Sequence, residues 1–233
     1  MKTLNTLMSW DCVVQNSENT FFLIEDFARK VSKLPAVQVD KLVDVLYPIA
    51  VSAFQVSPSS KFYDDVRNHI TEAGSLLVCC SGSSVAGFVS VMDIVECDTL
   101  FFHGIAIDSR FHHSGIASMA FDVLFDHSKR KRVAFTTQNP RMYCLLRKKV
   151  KKCFPSPEFP NVAETEWKYG QGLINGRSGS FIPEFFILQD LYTSCLYSEI
   201  PLTKDEKVNS WFQQSLTVES GQTRSGLLLC GER

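Results

Sequence analysis

Neither sign of charge prevails in this 233-residue chain: 24 Lys and Arg stand against 25 Asp and Glu, for a formal net charge of −1. So even a balance supplies no global field to draw the chain onto nucleic acid or an anionic membrane surface. No apolar run reaches the roughly 20 residues that cross a bilayer as a helix. The opening MKTLNTLMSWDCVV lacks the apolar block and small-residue cleavage pattern of a secretion leader, so no secretory route is expected. There is no C-x-x-C, and no histidine stands at zinc-like spacing from a cysteine, so no metal site is expected. A G-x-G-x-x-G after a first strand is missing, as is the G-K-[S/T] of a P-loop. Internal repeats and low-complexity segments are also lacking.

What remains is a globular composition, 45% hydrophobic and 21% charged. Most of the eight cysteines (Cys12, Cys79, Cys80, Cys97, Cys144, Cys153, Cys195 and Cys230) lie in apolar runs and are expected to be reduced, buried thiols in a cytoplasmic setting. Two basic clusters, Lys129-Arg130-Lys131-Arg132 and Arg147-Lys148-Lys149 with Lys151-Lys152, keep a nuclear address open. The first falls between a helix and a strand, where a solvated loop is expected. The second ends a helix, where positive charge suits the dipole.

Periodicity sets the element order. Thr20 to Val31 fits a strand followed by a helix. Val39 to Phe54 carries Leu42, Val43, Leu46, Ile49, Ala50 and Ala53 at helical spacing, with a kink or break expected at Pro48. Ser57-Pro58-Ser59-Ser60 offers a cap to a second helix, Phe62 to Ala73, closed by Gly74. Leu76 to Cys80 and Val85 to Ile94 flank Ser81-Gly82-Ser83-Ser84 as a hairpin. Leu100 to Ile107 is a third strand, Gly115 to His127 a helix, Val133 to Thr137 a strand and Pro140 to Lys149 a helix. In the tail, Pro155, Pro157 and Pro160 mark a loop, Asn175 to Ser180 a flexible tip, Phe185 to Leu196 a helix and Leu227 to Cys230 a late strand. The fold class is therefore α/β with a mixed sheet: the hairpin is its antiparallel part, and the unit from Leu100 to Thr137 its parallel pair.

Phe101 to Met119, FFHGIAIDSRFHHSGIASM, holds the most chemistry. A buried strand runs through a short turn into a helix opened by Gly115. The first N–H groups of a helix lack internal acceptors, and the dipole adds positive potential there. The turn offers N–H groups from His112, His113, Ser114, Gly115, Ile116 and Ala117, and Gly115 lets a phosphate approach the backbone. An ordinary strand-to-helix turn would read the same way.

Element order and turn together resemble the GCN5-related N-acetyltransferase (GNAT) superfamily over roughly Leu42 to Val150. The motif [Q/R]-x-x-G-x-[G/A] is matched by His112-His113-Ser114-Gly115-Ile116-Ala117, preceded by Ile107-Asp108-Ser109, with histidine in place of the first Gln or Arg. VAGFVSV (Val85 to Val91) is similar to that family's third strand, and VAFTTQNP (Val133 to Pro140) to its fifth. The resemblance implies a single GNAT-like domain over 1–233: a core at about 40–150, a mostly antiparallel sheet with one parallel pair and flanking helices, and an extension at 155–233 that completes the sheet and the acceptor side. It implies transfer of an acetyl group from acetyl-CoA, as acyl donor substrate, to a primary amine of a small molecule or protein, with no membrane or nucleic-acid partner. The pantetheine arm would lie along the strand through Ile105 and Ile107, with an N–H near Ile105 on the thioester carbonyl. Asn139 matches the asparagine that opens the family's next helix. Seven residues on, where the family often carries an acidic tyrosine, stands Leu146; Tyr143 is the nearby substitute, as general acid or as a packed aromatic.

The strand F-F-H-G-I-A-I resembles H-L-H-A-L-A-V of arylalkylamine N-acetyltransferases, where histidines remove the amine proton. His103 matches the second of these, and Phe101 replaces the first. His103 is thus the candidate base, beside the plainer role of a satisfied core histidine. The odd motif start and the missing tyrosine also fit a different class, a catalytically silent acyl-CoA-binding or interaction module.

Overall fold

The structure, a computed structural model, describes residues 9–16, 18–192, 194–216 and 223–233. The chain forms two compact units, Met1–Met92 with Phe102–Lys129 and Asp93–Phe101 with Arg130–Arg233. The division falls inside one strand, so residues 130–150 belong with the tail and not with the first 129. Among the described residues no helix is long and apolar enough to cross a membrane.

In the first unit the strands lie in the order β1 (Cys12–Gln15), β2 (Asn19–Ile24), β3 (Ser75–Ser81), β4 (Ser84–Ile94) and β5 (Thr99–Ile107, here from Phe102 on). The β3–β4 pair is the expected hairpin, with Ser81 opposite Ser84 and Gly82 left-handed in the turn. Helices α1 (Phe27–Val31), α2 (Ala36–Phe54), α3 (Ser60–Thr71) and α4 (Ile116–His127) flank this sheet. In β3, Leu76, Val78 and Cys80 on one face and Leu77 and Cys79 on the other are at most 1% exposed. That pattern marks a central strand covered on both faces. The first set joins Leu42, Leu46 and Ile49 of α2 and Val66 and Ile70 of α3 in one core. Across the sheet, α4 packs over β2 and β3, and its Phe121 stacks on Phe102 at 4.9 Å.

Two local expectations meet different outcomes here. Ser59 caps α3, its hydroxyl accepting from the Phe62 N–H at 3.2 Å. Pro48 does not break α2, which runs unbroken over 19 residues. A mid-helix proline costs about 3 kcal/mol. Its neighbours Leu46, Ile49 and Ala50 are 0–5% exposed, and burying residues of this kind returns roughly 1.5–3 kcal/mol for each large one.

The second unit is built around β10 (Gly226–Glu232), the late strand the sequence predicts. β6 (Arg132–Thr137) pairs along one edge of it, antiparallel from Leu227↔Thr137 to Glu232↔Arg132. The other edge takes β9 (Ile187–Gln189) at Gly226–Leu227 and β7 (Lys152–Phe154) at Cys230–Glu232. β8 (Ser180–Ile182) completes the order beyond β9. The first residues of β5 lie beside β6 as the parallel pair, with the Arg132 N–H on the Asp98 carbonyl at 3.2 Å. Helix α6 (Trp167–Leu173) packs here, around Phe101, Leu173, Phe186, Leu228 and Cys230, while α5 (Pro140–Lys149) packs on β7, β10 and α7 (Glu206–Ser215).

The helix expected over Phe185 to Leu196 is replaced by the β8–β9 hairpin. Phe186 and Asp190 take left-handed φ values of 53° and 52°, which no helix accommodates, and Ile187 and Leu188 pair with β10. The eight cysteines form no disulfide. Burial pushes the Cys80 thiol up to about 11 and Cys153 to about 12, as suits inert packing groups.

Candidate functional site

The first unit gathers most of the predicted residues around β5 and the turn after it. β4 reaches β5 closely at Gly87. A Cβ there would run into Ile107 Cδ1 and sit 2.7 Å from the Ala106 carbonyl, so only glycine admits the approach. Asp108, 4% exposed, receives the chain at the end of β5. Its carboxylate accepts from the Arg110 backbone N–H at 3.0 Å, the Arg110 guanidinium at 2.6–3.2 Å and Ser52 Oγ at 3.0 Å. The Arg110 hydrogen bonds draw its pKa down to about 2 against the pull of burial.

The turn then spends some of its donors and spares others. The His112 N–H goes to the Ser109 carbonyl and the Ser114 N–H to Phe111, so these two of the six predicted groups are occupied. Their side chains are also engaged. His112 Nε2 donates to the Ile107 carbonyl at 2.9 Å, and Ser114 Oγ donates to Phe111 at 2.6 Å. His112, standing where the motif has Gln or Arg, thereby ties the turn to the end of β5. The N–H groups of His113, Gly115, Ile116, Ala117 and Ser118 find no acceptor among the described residues, the first internal bond of α4 being Met119 to Gly115. Gly115 sits at φ 82°, with open space where a Cβ would point. Five amides without acceptors at the positive end of a 12-residue helix are donors that an anion could satisfy.

On β5 itself, His103 is partly buried and its ring stacks on His69 of α3, centroids 4.4 Å apart and planes 23° apart. The His69 Nδ1 lies 2.9 Å from the Asp65 carbonyl, which only accepts, so Nδ1 carries the hydrogen and the neutral ring keeps its lone pair on Nε2. Gly104 leaves room beside the pair: a Cβ there would lie 3.2 Å from Ser90 Oγ and 3.5 Å from the His69 ring. Ser90 Oγ is fully buried and has no hydrogen-bond partner among the described residues. His69 was not among the predicted residues. Its signal was there: it lies three residues from Val66 and next to Ile70, on the edge of the buried stripe of α3.

Asn139 and Tyr143 lie in the second unit. Asn139 caps α5, its carbonyl oxygen accepting from Arg141 at 2.9 Å, while its Nδ2 donates to the Tyr197 hydroxyl at 3.4 Å. The adjacent Gln138, also missed, is fully buried and holds two loops, donating to Thr223 and Ser225 and accepting from Leu196. Tyr143 is 1% exposed, edge-on to Trp211, and burial pushes its hydroxyl up to about 12. Leu146 shares this buried face.

No family model and no curated protein matches the chain. Among solved structures it is similar to the IAA acetyltransferase of Bacillus cereus, at 13% identity and a TM-score of 0.48, covering 92% of this chain and 99% of that one. It is also similar to the Bacillus subtilis acetyltransferase in complex with CoA, at 13% identity and a TM-score of 0.41, covering 82% and 92%.

Proposed function

We propose that this chain is an acyl-CoA-dependent N-acyltransferase of GNAT type, using acetyl-CoA to acetylate a primary amine of a small molecule or protein. The observation that carries this reading is the row of unspent amides at His113 and Gly115–Ser118, which follow a strand whose His103 stacks on His69 of α3. The amides take the pyrophosphate of the donor. Ser114 and His112 contribute through the shape of the turn, since their own donors are occupied. Ile105 and Ile107 supply the strand along which the pantetheine arm lies, and an amide near Ile105 steadies the carbonyl oxygen as it gains charge. Asn139 fixes the start of α5.

The acceptor must attack as a neutral amine. His103 takes its proton, and the face of the His69 ring stacked against it attracts the positive charge that results. The nitrogen bonds to the acyl carbon, the C–S bond breaks, and the second proton that the nitrogen sheds on becoming an amide passes through water to the departing thiolate of coenzyme A. Tyr143 is left out of this scheme, because its hydroxyl belongs to a buried face.

A second reading has its own support. Leu146, fully buried, stands where the resemblance places the acidic tyrosine, as a silent acyl-CoA-binding module would have it. One experiment separates the two: coenzyme A release is followed by thiol titration across a panel of primary amines and peptides. Release above the buffer rate with any acceptor supports the transferase. Saturable acetyl-CoA binding with no release on the whole panel supports the module.

A further inference from the structure

An even charge over the whole chain conceals where the charges sit. The two basic clusters of the sequence reach the same end of the second unit. Glu232 of β10 pairs with Arg132 of β6 on one side and with Lys152 of β7 on the other. Just beyond, the Arg233 N–H donates to the Lys131 carbonyl at 3.1 Å and the Lys151 N–H to the Glu232 carbonyl at 2.8 Å. Lys131, Arg233 and Lys151 therefore lie on three neighbouring segments, about 10 Å from first to last at the usual strand spacing. The end of α5 closes on the same place and adds Lys148: a Cβ on Gly231 would lie 2.8–2.9 Å from Val150 and Leu146. Lys131, Lys148, Lys151, Lys152 and Arg233 are all exposed.

The carboxylates at this end are engaged by other cations. Glu232 holds Arg132 at 2.6 Å, Glu166 holds it at 3.4 Å, and Asp93 holds Arg130 at 2.9 Å. Lys131 reaches Asp98 only at 3.9 Å, with 86% of its side chain exposed. Lys148, Lys151 and Lys152 stand against no carboxylate among the described residues. Like charges facing each other across neighbouring strands repel. The helix dipole that suits Lys148 fades beyond the last turn, before Lys151 and Lys152. We propose that this strip docks the phosphate backbone of a nucleic-acid duplex without reading its sequence. Charge density selects the partner. A duplex carries one charge per about 1.7 Å, so roughly six phosphates lie along 10 Å to meet these cations, and a single strand offers about half as many. None of the exposed large apolar side chains falls within residues 130–132, 148–152 or 233. The strip thus has no wedge for a bilayer and no open aromatic face on which unpaired bases would stack. A net charge of −1 adds no long-range pull, so the contact forms at short range.

The test is fluorescence anisotropy of the full chain with labelled DNA duplexes of about 20 base pairs, in two unrelated sequences, from about 50 to 200 mM salt. Expected is equal binding of both sequences, with log affinity falling against log salt at a slope of roughly −3 to −5, near −0.9 for each phosphate neutralised. The triple variant Lys148→Ala, Lys151→Ala, Lys152→Ala should bind at least about tenfold more weakly at low salt, with the slope reduced by about 2–3. The corresponding triple Lys→Arg variant should keep both. Exposed lysines of the first unit, replaced together as Lys33→Ala, Lys41→Ala and Lys61→Ala, should leave both unchanged. Absence of binding at low salt would overturn the proposal, as would an equal loss in the two alanine triples. Tighter binding to phosphatidylserine vesicles, or to polyglutamate at matched charge, would overturn it too, assigning the strip to a membrane or to an acidic protein. Thermal melting guards against a folding artefact: the alanine triple at 148, 151 and 152 removes mutual repulsion and should melt at or above the native temperature. A melt several degrees lower would make these lysines structural and sink the idea. No step of acyl transfer depends on this strip, so the outcome stands apart from whether coenzyme A release is detected.

Discussion

His69 and His103 stand 34 positions apart in the chain, and their rings stack 4.4 Å centre to centre. An imidazole that gains a proton against the face of a second, neutral imidazole is attracted by the π-electrons of that ring. His69 Nδ1 is fixed by the Asp65 carbonyl, which sets the orientation of the pair.

His103→Ala is therefore expected to lower turnover by about 10²–10⁴-fold while acetyl-CoA affinity holds, and to flatten the pH–rate profile. His69→Phe keeps the stack but removes the nitrogen, and should cost less in rate than His103→Ala while shifting the same profile. Steady-state kinetics across pH check both. Profiles identical to the native one would remove the pair from the mechanism.

Gly115 separates geometry from charge. Gly115→Ala places a side chain in open space at φ 82°, so it should cost about 1–2 kcal/mol of stability with modest loss of donor affinity. Gly115→Glu sets a carboxylate among the five amides and should abolish acetyl-CoA binding. Denaturant melts and calorimetry measure the two effects, and unchanged affinity in Gly115→Glu would refute the phosphate cradle.

Gly87 tests the contact of β4 with β5. A Cβ 2.7 Å from the Ala106 carbonyl forces backbone to move. Gly87→Ala should destabilise by about 1–3 kcal/mol in urea melts, with the loss concentrated in amide-exchange protection of β4 and β5.

Asp108 supplies an acid-sensitive term. Its carboxyl lies below its ordinary pKa of 3.8, at about 2 in the folded chain. The stabilisation is thus complete above pH 3.8 and is lost as pH falls through about 2. Its partner Arg110 is 70% exposed, so solvent screens the pair, and about 1–2 kcal/mol is a fair size. Asp108→Asn should be less stable at neutral pH, and its stability should fall less steeply between pH 4 and pH 2.

The sequence revealed what local physics decides. Gly115 needed a left-handed start, Ser59 a helix cap and Gly82 a hairpin turn, and each reads from a few neighbouring residues. Contacts across long separations did not read. His69 meets His103 only because α3 packs on the sheet, and helical spacing alone cannot say which strand residue lies beneath. The run Phe185-Phe186-Ile187-Leu188 is apolar without a period, so neither helix nor strand is favoured by pattern, and pairing with β10 decides. α7 went unread, although Asp205 caps it and Val208, Trp211 and Phe212 bury one side. Its capping residue sits among polar residues that resemble a loop.

The position of β10 has a consequence for biogenesis. Residues 226–232 lie between β6 on one side and β9 and β7 on the other. During synthesis the first unit is complete once Lys129 has emerged, while the second waits about a hundred residues more for its central strand. Until then β6, β7 and β9 present open edges, each a template for foreign strands. A ribosome that stalls before residue 226 leaves a folded first half joined to a second half without its middle, a species that chaperones and proteases would meet before any substrate does.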